Sequence, residues 1–134
     1  MKSKKLNFVL VLLMIGILIP ASVFSQEIEI QVSPNVLNLQ SNGVVVTVHT
    51  DIPFSDVDAS SVTLNEVGIQ SWKSDNQGFF VAKFNMLEVK DLVNQGELQL
   101  GVNTLTLEGT TGSGSTFSGS EDILIINNVP RGKN

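Results

Sequence analysis

An all-β sandwich of about seven short strands with one short helix is the fold this sequence predicts, on three observations. Short runs of Val, Ile, Leu and Phe recur at roughly regular spacing between residues 28 and 126. Most of them alternate apolar with polar residues, which is the period of a strand with one face buried. Gly, Asn, Ser and Asp punctuate the runs, supplying turn chemistry between strands. A small β-barrel is the alternative, since alternation marks a buried face without saying whether the sheet closes on itself.

The chain opens "MKSKKLNFVLVLLMIGILIPASVFSQ", with Lys2, Lys4 and Lys5 ahead of an uncharged apolar run from Leu6 to Ile19, then Pro20 and small residues. This pattern predicts a secretory signal peptide over residues 1–25, cut between Ser25 and Gln26. The apolar run is shorter than the ~20 residues a spanning helix needs and ends in a proline, so no membrane insertion is expected after cleavage. No cysteine follows it to carry a lipid. Residues 26–134 then form one domain, secreted or extracytoplasmic, of a size that can hold a core without disulfides. The absence of Cys requires it to do so.

The strands follow in order. "EIEIQV" (27–32) alternates, setting Ile28, Ile30 and Val32 against Glu27, Glu29 and Gln31. In "NVLNLQSNGVVVTVHT" two apolar segments flank Ser41, Asn42 and Gly43, and Asn-Gly between β-branched runs predicts a hairpin. "SSVTLNEVGIQSW" reads as two short strands, Val62 with Leu64 and Val67 with Ile69, broken near Asn65. A polar turn from Ser74 to Gln77 enters "GFFVAKFN" (78–85). The period then changes: Met86, Val89, Leu92 and Val93 recur at helical spacing, with Asn85 as N-cap, Glu88 three residues on and Gly96 as terminator. This helix should bridge the two sheets at one end. "ELQLGVNTLTLEG" and "STFSGSEDILIIN" resume strand character. Too little chain follows the Gly/Ser segment between them to fold alone, so residues 109–116 are expected to form a hairpin turn in which Gly112 or Gly114 supplies positive φ. Ile28, Ile30, Val46, Val48, Val62, Leu64, Phe84, Leu105, Leu107 and Ile125 should line a single core.

Three segments together carry a likeness: "SNGVVVTVHT", the run from Phe54 to Leu64 ("FSDVDASSVTL"), and that from Leu107 to Ile123 ("LEGTTGSGSTFSGSEDI"). They resemble the uncharacterised immunoglobulin-like β-sandwich repeat modules of secreted bacterial and archaeal proteins. The likeness spans nearly all of residues 26–134 and implies an immunoglobulin-like sandwich and secretion; the family has no assigned reaction. Many such modules carry an Asp-rich loop where this chain reads "SDNQGFFVAKF", which keeps only Asp75 and Gly78.

Charge and residue types narrow the function. Once the leader is removed, five Lys and Arg face thirteen Asp and Glu, a net charge of −8. Such a domain repels phosphate backbones, so nucleic-acid binding is not expected. With no Cys or Tyr and a single histidine, His49, the chain lacks a zinc ligand set and the usual nucleophile and base pairs. The expected role is therefore that of a non-catalytic structural or adhesion-type module, taking an extracellular protein or glycan as partner and needing no cofactor. Two alternatives name residues. Calcium stabilisation would use Asp51, Asp56 and Asp58, joined by Glu121 or Asp122 if the last strand lies nearby, although Asx turns and solvated loop ends account for these residues more simply. The turn at 74–78, with Asp75 as its one carboxylate, should not hold the ion by itself. Carbohydrate binding would use Trp72, Phe79 and Phe80, although adjacent strand residues point to opposite sides.

Overall fold

The computed structural model describes residues 25–130, so the expected leader, Ser25 excepted, lies outside the described residues. Among the described residues, ten strands form two separate sheets that do not close into a barrel, with one helix between them in sequence. The strands are β1 (Ser25–Glu27), β2 (Ile30–Ser33), β3 (Val36–Asn38), β4 (Val45–Pro53), β5 (Val57–Leu64), β6 (Val67–Gly68), β7 (Ser71–Ser74), β8 (Phe79–Asn85), β9 (Gly101–Thr111) and β10 (Thr116–Ile126). The helix α1 covers Met86–Asn94, and a 3-10 turn at Phe54–Asp56 joins β4 to β5.

The larger sheet runs β1-β10-β9-β5-β6, with β3 on the same edge of β10 as β1; the smaller runs β2-β4-β8-β7. All ten residues expected in the core are buried between them, alongside Leu37, Ile52, Phe80 and Phe117. The alternation read from sequence therefore places the right side chains inward. β8 lies in the smaller sheet and β9 in the larger, so α1 sits on the crossover between sheets, as its position in the chain suggested. Asn85 Oδ1 accepts the Leu87 N–H at 2.9 Å, and Gly96 at φ 79° ends the helix. Both caps agree with the expectation.

The terminal hairpin also holds. β9 and β10 are antiparallel around residues 112–115, where Gly114 takes φ 91° and the Thr111 N–H donates to the Ser115 carbonyl at 2.8 Å. The break near Asn65 is a tight turn in which Asn65 and Glu66 both adopt positive φ. Asn65 tolerates that backbone because its side chain is engaged: Oδ1 accepts the Thr106 N–H at 2.7 Å.

Two local readings are corrected. Asn42-Gly43 does not close a hairpin: β3 pairs with β10 in the larger sheet while β4 pairs with β2 and β8 in the smaller, so residues 39–44 cross between sheets. Gly43 lets the chain pass close to α1, where a Cβ would lie 2.8 Å from the flexible end of Met86 at Sδ. "EIEIQV" is likewise not one strand. Its inward residues are the expected Ile28, Ile30 and Val32, but the chain leaves β10 after Glu27 and joins β4 from Ile30. Gly119 makes room for this passage, as a Cβ on it would lie 2.7 Å from the Ile28 carbonyl oxygen.

Candidate functional site

The acidic and aromatic residues singled out by the sequence are distributed over both sheets. Asp51 is exposed near the end of β4, and its Oδ1 accepts the Glu29 N–H at 2.9 Å just where the chain has crossed between sheets. Asp56 lies in the 3-10 turn, where its carbonyl accepts the Gly112 N–H at 3.0 Å and ties this turn to the β9–β10 hairpin. Asp58, on β5, accepts the Ser60 hydroxyl at 3.1 Å through its carboxylate and the Ser61 hydroxyl at 2.6 Å through its carbonyl. Asp56 and Asp58 thus occupy the 3-10 turn and the start of β5, on the larger sheet's side of the molecule. Asp51 belongs to the smaller sheet and lines a different surface groove. Among the described residues no group of three or more His, Cys, Asp or Glu is arranged to hold a metal ion.

Glu121 and Asp122 diverge because neighbouring strand residues face opposite ways. Glu121 turns toward the smaller sheet, and its Oε2 accepts the Val32 N–H of β2 at 3.1 Å. Asp122 faces out and accepts the Thr104 hydroxyl at 2.6 Å across the hairpin. In the turn after β7, Asp75 Oδ1 accepts the N–H groups of Gln77 at 2.8 Å and Phe79 at 2.9 Å. This is the bonding of a side chain that shapes a turn.

An open groove of about 950 Å³ is lined by Glu29, His49, Asp51, Asp75 and Glu121 among others. His49 is exposed on the outer face of β4, in register with Gln31 and Val81. Acidic groups therefore surround this groove, and Asp51, Asp75 and Glu121 each already hold a backbone amide.

The three aromatics do not share a surface. Trp72 is paired with Ala82 on the edge strand β7, on the side of the sheet that carries the core, and keeps 45% of its surface exposed at the rim. Phe80 is wholly buried and stacks on Phe54 with ring centroids 6.1 Å apart. Phe79 points to the opposite side of β8 and is half-buried. Trp72 is thus the one member of the trio with a broad solvent-facing surface.

One polar residue with a structural part to play gave no signal in sequence. Thr50 is buried at the irregularity between β4 and β8, where its hydroxyl donates to the Phe80 carbonyl at 2.6 Å. A threonine in a β-branched run reads as an ordinary strand residue, and only the shifted register creates its task.

The fold so described defines the protein as an all-β, two-sheet sandwich with a helical crossover. No protein-family model matches it, and no curated protein or solved structure does either.

Proposed function

We propose that this protein is a secreted, non-catalytic module of the immunoglobulin-like β-sandwich kind, with a structural or adhesion-type role toward an extracellular protein or glycan. The observation that carries the reading is how the carboxylates are used. Asp51, Asp75 and Glu121 bind backbone amides that would otherwise lack partners at a sheet crossing, a turn and a sheet edge, which is a use of charge in holding shape. The leader-like N-terminus supports export, and the likeness to repeat modules supports a role as a building unit. Among the described residues no helix is long and apolar enough to cross a membrane.

A second reading rests on Trp72. A tryptophan with nearly half its surface exposed on an edge strand offers a stacking plane for a sugar ring. A glycan array separates the two: the first reading expects no binding that depends on Trp72, whereas saturable binding lost on Trp72→Ala would establish the carbohydrate reading. N-terminal sequencing of the exported protein tests secretion, with Gln26 as the expected first residue; a mature form that still begins at Met1 would contradict it.

A further inference from the structure

We propose that Asn42 is a site of spontaneous covalent modification, at which the side-chain amide is converted to aspartate and isoaspartate through a cyclic imide formed with Gly43. Asn42-Gly43 is the only Asn-Gly pair in the sequence, and its hairpin role is ruled out by the strand pairing. What remains is an exposed crossing between sheets in which residues 41–44 adopt no regular structure. Among the described residues, neither the Asn42 side chain nor the Gly43 N–H has a hydrogen-bond partner.

Those are the conditions the chemistry needs. The deprotonated Gly43 nitrogen attacks Cγ of Asn42; a new bond from that nitrogen to Cγ closes a five-membered ring, and the bond from Cγ to Nδ2 breaks to release ammonia. Water then opens the imide at either carbonyl, restoring the backbone as aspartate or extending it by one carbon as isoaspartate. The balance is one water consumed and one ammonia released. Glycine favours the attack because it brings no side group against the incoming ring. Six other asparagines are better held, since the side chains of Asn38, Asn65, Asn85, Asn94, Asn103 and Asn127 make hydrogen bonds. Asn35, Asn76 and Asn128 precede Val36, Gln77 and Val129, whose side chains crowd the attacking nitrogen.

The surroundings give the change a consequence. Both flanks of the pair are anchored to α1: Ser41 accepts Lys90 Nζ at 2.7 Å through its carbonyl, and the Val44 carbonyl accepts the Met86 N–H at 3.0 Å. Gly43 lies against the Met86 thioether. An extra backbone carbon between those anchors cannot be absorbed without moving one of them, so the isoaspartate form should hold the start of α1 less well than the aspartate form.

The test is to age the purified protein at mildly alkaline pH and map it by mass spectrometry, using a protease that cuts beside aspartate but not isoaspartate. Asn42 should convert before any other asparagine, yielding both products, at a rate less than about tenfold below that of a synthetic peptide spanning residues 39–46, because the loop needs no prior opening. N42Q should abolish the product. Conversion of another asparagine first, a rate about tenfold or more below the peptide, or aspartate without isoaspartate would overturn the proposal. N42D carries the charge without the added carbon and should melt above the aged protein; equal melting would overturn the anchoring argument.

Discussion

β9 and β10 run against each other through ten consecutive residue pairs, whereas residues 25–38, which flank the other side of β10, change sheets twice. The hairpin closes over the short turn at 112–115, so each of its pairs is near in sequence to the last. The N-terminal edge depends on partners at the far end of the sequence, as in the Val32–Glu121 bond across 89 positions. A local pairing can be inferred from the residues that make it; a distant one is set by which surface the rest of the fold leaves open. The comparison separates what alternation encodes, the inward face of each residue, from what it does not, the identity of the neighbouring strand.

Four experiments test this contrast. The largest effect is expected inside the hairpin, where Leu107 is fully buried: Leu107→Ala should cost about 2–5 kcal/mol in chemical denaturation, and a cost below about 1 kcal/mol would mean that the regular half of the fold is not where stability resides. Next comes the meeting point of the two regions. Gly119→Ala forces a methyl against the Ile28 carbonyl and should cost about 1–3 kcal/mol, with hydrogen exchange rising in residues 28–33 before it rises in β9. Uniform loosening would show that the broken edge and the hairpin are one unit.

The third perturbation is smaller. Inserting a few Gly and Ser residues into the turn at 112–115 should cost under about 1 kcal/mol, the increment of loop-closure entropy. A larger loss would assign real weight to the Gly112–Asp56 bond at the hairpin tip. The smallest effect expected is none: melting in excess calcium and in excess chelator should coincide. Asp51 sits by the sheet crossing and Asp56 by the hairpin tip, so an ion would have to choose between the two regions. A ligand at ~100 times its dissociation constant adds about 2.7 kcal/mol; a rise of that order, abolished by Asp56→Ala, would place a cation at the hairpin tip.

The same contrast explains what was legible in the sequence. The helix, its Asn85 cap, the turn at Asn65 and the terminal hairpin rest on residues a few positions apart, and their signals sit in the sequence itself. The hairpin expected at Asn42-Gly43 failed because β3 found a better neighbour in β10 than in β4, a competition invisible to a local motif. Of the residues weighed for binding, Phe80 became core and Trp72 rim for the same reason: both are aromatic strand residues, and only their positions in the sheet, central or edge, distinguish them. Glu121 reads in the sequence as a candidate calcium ligand because the amide it binds lies at the opposite end of the sequence.

That bond at Glu121 bears on how the molecule behaves in a crowd. β2 is an edge strand, and an edge strand with a bare outward N–H is a template on which a strand of another molecule can form. The Val32 amide is instead covered by a carboxylate reaching over from the other sheet. An incoming strand would have to displace that hydrogen bond, and its own carbonyl would then lie beside a negative charge. With β2 four residues long and the neighbouring Glu29 and Asp51 adding charge of the same sign, this side of the sandwich resists the edge-to-edge stacking through which β-rich proteins aggregate.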